Sequence, residues 1–308
     1  ISHSGSEETR VFQECSQLGA ELAALGSQLL GADNPAQVGI LFDWDNYWAL
    51  EYTSGPSVDL KYCNQIHQYY RYFYNRHIPV DMVPMDGDFS RYKAIVAPVL
   101  YMVKEGVAEA LTAFVEAGGT LITGFMSGIV DQSDNVHLGG YPGPLRKLCG
   151  VWAEEIDALA PEQSNTLKFM DGSQSKCGLL CDILHLEGAQ ALAVYGEDFY
   201  AGAPAVTKNA YGKGTVYYVG TQPEAQGLDK ILDSLTGQGE IHPLIPDRTQ
   251  LEVTRRVKDG TEFWFILNLT GKPQPLPESF AGETDMLTGE KAGDLKSFDA
   301  ILVKRSAL

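Results

Sequence analysis

Between residues 38 and 123, short apolar runs alternate with amphipathic segments, and this alternation constrains the fold more than any other feature of the sequence. The first, Val38–Phe42, is an unbroken apolar run of the kind found in strands that are buried on both faces. Further strands fit Val80–Val83, Ala94–Leu100 and Thr120–Thr123. Apolar residues at helical spacing connect them over Tyr62–Arg76 and over Val107–Val115, the latter before a glycine pair typical of a helix C-terminus. This order predicts an α/β fold, a parallel sheet with helices on both faces.

A further amphipathic helix is predicted at the N-terminus. Ser4 and Glu7 have the spacing of a capping box, and apolar residues then recur at three- and four-residue steps from Val11 to Leu29. The apolar stripe of this helix has to lie against a neighbour. That neighbour is either the domain that follows or a domain upstream, of which this would be the last helix. The chain starts at Ile1, directly before the helix, which is typical of an excised segment.

The second half of the chain is predicted to be richer in strands. Extended segments broken by turns run from Leu167 to Gln222, and Leu228–Leu235 suits a closing helix. A proline-marked linker follows at Ile241–Asp247. Beyond it, a small antiparallel β domain is predicted from three strands and an Asp259-Gly260 hairpin turn. The strands are Leu251–Val257, Glu262–Leu269 and Ala300–Lys304.

Composition excludes several kinds of partner. The net charge of −17 would repel nucleic acid and anionic lipid, so neither is expected as a partner. The sequence has no apolar run of 18 residues and no recognisable signal peptide. Its five cysteines are scattered and odd in number, unlike a disulfide framework, and we expect reduced thiols in a cytoplasmic protein.

Two motifs that α/β enzymes use are absent from their expected places. A dinucleotide site needs a glycine-rich turn after the first strand, where this chain has Phe42-Asp43-Trp44-Asp45-Asn46. A nucleophile elbow needs Ser or Cys directly after a central strand, and Gly124-Phe125-Met126-Ser127-Gly128 places Ser127 one position too late. We therefore interpret this segment as a plain strand-to-loop turn and expect no cofactor.

Three weaker signals have structural interpretations. Cys177, Cys181 and His185 would share one face of a helix and could bind zinc, but the apolar alternation around them suits a strand, and no metal is expected. Neighbouring carboxylates such as Glu154 and Asp157 are typical of solvated faces in an acidic chain. Asn268 opens a glycosylation sequence, which we interpret as coincidence.

Several segments taken together resemble the β-galactosidases of glycoside hydrolase family 42, in the region after their catalytic (β/α)8 barrel. The resemblance extends in order over nearly the whole chain, which makes it more specific than any single motif. The matching segments are Glu7–Phe12, Leu18–Leu22, Val38–Glu51, Gly118–Leu121, Leu138–Leu145 and Gly212–Tyr218.

This resemblance implies a domain organisation and a function. Residues 1–32 would be a helix trailing from the missing barrel, residues 33–240 a flavodoxin-like or class I glutamine-amidotransferase-like trimerisation domain, and residues 241–308 the small β domain. The family's two catalytic glutamates lie on the barrel, so no catalytic residue is expected here. The full-length enzyme would be a homotrimer that hydrolyses terminal β-D-galactosides, and we expect this chain alone to be inactive.

The segment after the first strand is the candidate subunit interface. It would lie outside the carboxyl end of that strand, where α/β sheets meet ligands and partners. Its large aromatic side chains are typical of interface hot spots, and its carboxylates can pair with basic groups. The candidate residues are Asp43, Trp44, Asp45, Trp48 and Glu51. Two alternatives remain: the tryptophans belong to the domain's own core, or they belong to a carbohydrate-binding or protein-interaction module with an inactive amidotransferase-like fold.

Overall fold

The computed structural model describes residues 3, 5–236, 241–246 and 249–306, which divide into two compact units. One unit comprises residues 36–242. The other combines residues 1–35 with residues 243–308. The N-terminal helix, which the sequence predicts as a separate segment, is therefore grouped with the C-terminal β region.

Within the described residues of 36–242, eleven strands form one mixed sheet. They are β1 (Val38–Leu41), β2 (Val80–Val83), β3 (Ala94–Ala97), β4 (Thr120–Gly124), β5 (Val151–Ala158), β6 (Asn165–Phe169), β7 (Gln174–Leu186), β8 (Gln190–Tyr195), β9 (Pro204–Tyr211), β10 (Gly214–Val219) and β11 (Thr221–Pro223). Five neighbours in the order β2-β1-β3-β4-β10 are parallel. The four strands predicted between residues 38 and 123 are confirmed, although the third ends at Ala97 rather than Leu100.

The rest of the sheet is antiparallel, which corrects the prediction of a parallel sheet for the whole domain. From β10 the order continues β9-β8-β6-β7-β11, and β5 pairs with β7. The connection from β9 to β10 is the turn Gly212-Lys213, with Gly212 at a φ of 58°. A two-residue turn can join only antiparallel strands, since a parallel pair needs a crossover of a dozen residues or more.

Helices cover both faces of this sheet, as the sequence predicts. They are α2 (Trp44–Tyr52), α3 (Tyr62–Tyr74), α4 (Val107–Glu116), α5 (Arg146–Cys149) and α6 (Ala225–Thr236). Neighbouring strand residues point to opposite sides, so Ile40 packs in one core cluster and Leu41 in the other. The first cluster includes Phe73 of α3 and Leu232 of α6, and the second includes Leu111 of α4.

The second unit contains α1 (Arg10–Leu29) and a three-stranded antiparallel sheet. The strands are β12 (Glu252–Lys258), β13 (Thr261–Leu267) and β14 (Ala300–Ser306), in the predicted positions. Leu25 of α1 packs against Phe263 and Leu302 of this sheet. None of the described helices is long and apolar enough to cross a membrane.

The predicted start of α1 is wrong. Ser4 lies outside the described residues, and the helix begins at Arg10 with Thr9 as its N-cap. The Thr9 hydroxyl accepts a hydrogen bond from the Phe12 amide at 3.4 Å, which satisfies one of the free amides of the first turn. Thr and Ser are both good caps, so sequence spacing alone does not select between them.

Candidate functional site

The candidate interface segment forms a helix that the sequence analysis did not predict. The Asp43 carboxylate caps α2 by accepting a hydrogen bond from the Asn46 amide at 2.9 Å. Asp is a strong N-cap because its side-chain oxygen satisfies an amide that has no partner within the helix. The segment follows β1 directly, so α2 begins outside the carboxyl end of a central parallel strand.

One buried residue fixes the position of α2, and sequence reasoning missed it. The Asn46 side chain is fully buried; its Nδ2 donates to the Val99 carbonyl at 3.1 Å, and its Oδ1 accepts from the Met102 amide at 2.8 Å. Asn46 and Leu50 are four residues apart and therefore share the inward face of the helix. Once the helix is assigned, this spacing indicates that Asn46 faces inward, because it is in line with a core leucine.

The opposite face of α2 carries three exposed aromatic side chains. Trp44, Trp48 and Tyr52 follow one another at four-residue spacing and are 59%, 51% and 87% exposed. The rings of Trp44 and Trp48 have centroids 6.0 Å apart. We refer to Trp44, Trp48 and Tyr52 as the aromatic patch. Both tryptophans are more than half exposed, so they are not core residues of this chain.

The aromatic patch rests on a second group of rings that is more deeply placed. Trp44 contacts Phe42 edge to face at 5.0 Å and Tyr47 at 5.9 Å. Phe42 in turn stacks on the buried Tyr62 of α3 at 5.5 Å. These contacts hold the Trp44 indole in place, so the exposed rings of the aromatic patch are supported by packed rings beneath them.

Ion pairs flank the patch. The Lys104 ammonium lies 2.7 Å from a carboxylate oxygen of Asp43 and 2.7 Å from one of Asp45. Burial would lower the pKa of Lys104, but hydrogen bonds to these two carboxylates raise it above its ordinary value. Glu51 lies 4.0 Å from the Lys61 ammonium. The candidate carboxylates therefore have partners within the chain, and the charge beside the aromatic rings is largely compensated.

The turn after β4 has the shape of a nucleophile elbow without a nucleophile. Met126 has a φ of 56°, the strained conformation that an elbow nucleophile adopts, and its side chain is buried. The Ser127 hydroxyl is fully buried, accepts from the Leu100 amide at 3.1 Å and lies 2.9 Å from the Thr123 hydroxyl. Ser127 therefore ties two loops together and is not presented to a substrate.

The remaining candidates do not converge on a site. Cys177 and Cys181 are buried on β7, whereas His185 is exposed and lies four residues further along the same strand, about 13 Å from Cys181. His185 instead contacts Glu154 at 2.6 Å, and Asp157 accepts from the Tyr200 hydroxyl at 2.7 Å. These carboxylates act separately, and the three possible zinc ligands do not form a set.

Asn268 is likewise occupied within the fold. It follows the end of β13, and its Nδ2 donates to the carbonyls of Lys272 at 2.8 Å and Lys296 at 2.6 Å. Since the residue is fully buried, its amide nitrogen is not accessible for modification in the folded chain.

Comparison with known proteins gives a consistent result across both units. A family model described as the β-galactosidase trimerisation domain matches residues 36–242, and one described as the β-galactosidase C-terminal domain matches residues 250–304. The chain is 45% identical over 306 residues to β-galactosidase LacZ of Lactobacillus acidophilus and 49% identical over 282 residues to β-galactosidase BgaP of a Planococcus species.

Solved structures agree with this result. The crystal structure of β-galactosidase from Bacillus circulans sp. alkalophilus matches with a TM-score of 0.93 and 42% identity over 99% of this chain. The match covers 46% of that structure, and the two relatives are covered to 46% and 42%. The chain thus spans about half the length of the β-galactosidases that it matches.

Proposed function

Because the chain belongs to the β-galactosidases of glycoside hydrolase family 42 and carries their trimerisation and C-terminal domains, we propose that it assembles the subunits of such an enzyme into a homotrimer. In this proposal residues 36–242 provide the contact between subunits, and residues of the longer protein outside this chain provide the chemistry. The chain alone does not hydrolyse galactosides.

The aromatic patch is the observation that carries this proposal. Large aromatic side chains are buried in most folded chains, and a row of three with exposed faces is typical of a surface that a partner covers. Interfaces concentrate aromatic residues at their centre and place charged groups at the rim. The arrangement of Trp44 and Trp48 beside the ion pairs of Asp43, Asp45 and Glu51 fits this description. We propose that a second copy of the chain covers the patch.

The strand order supports a flavodoxin-like assignment for the parallel half of the sheet. Numbered along the chain, the five parallel strands have the order 2-1-3-4-5, which is the order of flavodoxin. Amidotransferase-like domains place a nucleophile at the elbow after a central strand. Met126 occupies that position here, so the domain would retain the scaffold and not the reaction.

The activity of the whole protein is proposed from its relatives. Those that match over 90% or more of this chain are named β-galactosidases, so we propose that the full-length enzyme hydrolyses terminal β-D-galactosides. The cysteines in the structure are free thiols, which supports a cytoplasmic location.

Alanine substitution of the patch tests the proposed interface. We expect Trp44→Ala and Trp48→Ala each to weaken association by about 2 kcal/mol or more, roughly a thirtyfold rise in dissociation constant, because hot-spot aromatics contribute at least this much. Light scattering across a dilution series measures the change. Phe199→Ala is the matched control, since Phe199 is 74% exposed but lies outside the patch.

The outcome separates assembly from the alternatives. If both tryptophan variants associate as the Phe199→Ala variant does, the interface lies elsewhere. If the unsubstituted chain binds galactosides, and Trp48→Ala abolishes that binding without changing association, the patch is a sugar-binding surface instead. Circular dichroism of each variant verifies that it is folded.

A further inference from the structure

A pair of cysteines remains outside the proposed function. Cys177 and Cys181 lie on β7 and are both buried, 2% and 0% exposed. On a regular strand, residues four apart are separated by about 13 Å and their thiols do not meet. The path of β7 between these two residues is not regular.

The register of β7 against β11 brings the cysteines together. Cys181 pairs with Thr221, Gly178 with Gln222 and Cys177 with Pro223, and a bulge lies between the first two pairs. Leu179, inside the bulge, has a φ of 63°. Thr221 and Pro223 are only two residues apart, so the residues opposite them are separated by about two strand rises, roughly 6.6 Å. Residues two apart also share a face, so both thiols lie on the same side of the sheet.

This separation matches the requirement of a disulfide. Cα atoms of bridged cysteines lie about 4.4 to 6.8 Å apart. Both cysteines pack in the same core cluster, and the Cys181 Sγ lies 3.5 Å from the Thr221 hydroxyl. No change of strand register is needed to bond the two sulfur atoms.

The surroundings favour a thiolate on one of the pair. The neighbouring Cys177 thiol lowers the pKa of Cys181, although burial opposes this, and the Thr221 hydroxyl lowers it further. The proximity of Cys181, together with burial, raises the pKa of Cys177. A thiolate beside a thiol is the arrangement in which one sulfur reacts and the other resolves the product.

A cavity of about 480 Å³ extends to Cys177, so a small oxidant can reach that side of the pair. Cys177 and Gly178 line it on one side, and Gln222 and Glu224 line it on another. Polar and apolar side chains share the lining, and its polar groups can solvate a water-sized hydrophilic molecule.

We propose that Cys177 and Cys181 form a reversible oxidation site whose substrate is hydrogen peroxide. The Cys181 sulfur attacks the peroxide O–O bond, which gives a sulfenic acid and releases one water. The Cys177 sulfur then attacks that sulfenic sulfur, forms the S–S bond and releases a second water. The two thiols lose two electrons and two protons, and the peroxide is reduced to two waters.

Peptide mapping of the oxidised chain tests this site. The folded chain is treated with hydrogen peroxide, alkylated and digested with trypsin, which cuts after Lys176 and Lys208 and so releases both cysteines in one peptide. We expect peptide 177–208 to lose two hydrogen atoms and to carry no alkyl group. Dithiothreitol before alkylation should restore two alkylated cysteines.

Controls make every outcome decisive. Cys149→Ser removes an equally buried thiol on α5 and should leave the cross-link intact, whereas Cys177→Ser should abolish it. Oxidation of the exposed Cys15 confirms that the peroxide was active. The proposal is overturned if peptide 177–208 stays doubly alkylated while Cys15 is oxidised, or if the cross-link forms only in urea. Both results come from the unsubstituted chain and do not depend on the folding of a variant.

Discussion

At the scale of single residues, Asp182 is the most unusual ionisable group of the sheet. It is fully buried on β7, and its Oδ2 accepts a hydrogen bond from the Tyr218 hydroxyl at 2.7 Å, while its Oδ1 has no hydrogen-bond partner among the described residues. Burial raises the pKa of this carboxyl to about 8, and the hydrogen bond from Tyr218 only partly opposes the rise. Asp182 is therefore neutral in the fold at neutral pH and ionised in the unfolded chain.

This difference predicts a pH dependence of stability. Because the pKa of Asp182 is higher in the fold than in the unfolded chain, the free energy of unfolding is at its full value below the ordinary carboxyl pKa. It falls as the pH rises from there towards about 8. The slope is up to about 1.4 kcal/mol for each pH unit. Asp182→Asn removes the ionisable group. The free energy of unfolding of this variant minus that of the original chain should therefore increase steadily between about pH 5.5 and pH 8. Urea denaturation measures both proteins, and parallel curves would show that Asp182 does not ionise on unfolding.

Tyr218→Phe provides the matched control for this prediction. This substitution removes the hydroxyl whose hydrogen bond lowers the pKa of Asp182. The decline in the free energy of unfolding should therefore extend to higher pH. If the decline ends at lower pH in this variant, the Tyr218 hydroxyl raises the pKa of Asp182 and does not lower it.

At the scale of elements, α2 shows how a single polar residue positions a surface. Asn46 joins the helix to the loop after β3, and this contact determines which face of α2 is turned outward. Its replacement leaves a buried carbonyl and a buried amide without partners, and each such group costs about 1 to 3 kcal/mol.

We expect Asn46→Ala to lower the free energy of unfolding by about 2 to 4 kcal/mol. Denaturant unfolding measures the loss. Asn64→Ala, on the exposed side of α3, should stay within about 0.5 kcal/mol of the original chain. Equal losses for the two variants would mean that the Asn46 hydrogen bonds do not hold the helix.

The same helix shows what sequence patterns can and cannot predict. The strands β1 and β3 were predictable because burial on both faces requires an apolar run. The edge strand β2 is only partly buried, and its residues Val80–Val83 are nevertheless those predicted. The helix α2 was not predictable from periodicity, because its exposed face carries Trp44, Trp48 and Tyr52 and is as apolar as its buried one. In the antiparallel half, the turn between β9 and β10 is a local signal, whereas the pairings of β7 with β5 and with β11 join segments far apart in the chain, which local patterns do not specify.

At the scale of the whole molecule, one of the two compact units combines the two ends of the chain. Residues 1–35 belong with residues 243–308, and α1 completes the small β unit by packing Leu25 on Phe263 and Leu302. A sheet of three strands gains stability from such a cover, since a small unit buries little apolar surface alone. This pairing joins segments more than 200 residues apart, so the sequence pattern did not reveal it.

Two leucines of α1 test this division. Leu25 is 7% exposed and Leu22 is 59% exposed. Leu25→Ala should destabilise the β unit by about 2 to 4 kcal/mol, through lost burial and the cavity left behind, and Leu22→Ala by less than about 0.5 kcal/mol. Hydrogen exchange should rise in β12 to β14 and stay unchanged in β1 to β4. Faster exchange in β1 to β4 with β12 to β14 unaffected would assign α1 to the other unit.

We propose that residues 36–242 carry the contact that assembles three subunits, and the molar mass of the chain in solution tests this most directly. Sedimentation equilibrium at tens of micromolar chain should give three times the 33.6 kDa of one chain, with dissociation to single chains on dilution. The same mass should persist when residues 1–35 are destabilised by Leu25→Ala. A mass of one chain at every concentration, or a stable dimer, would contradict the account.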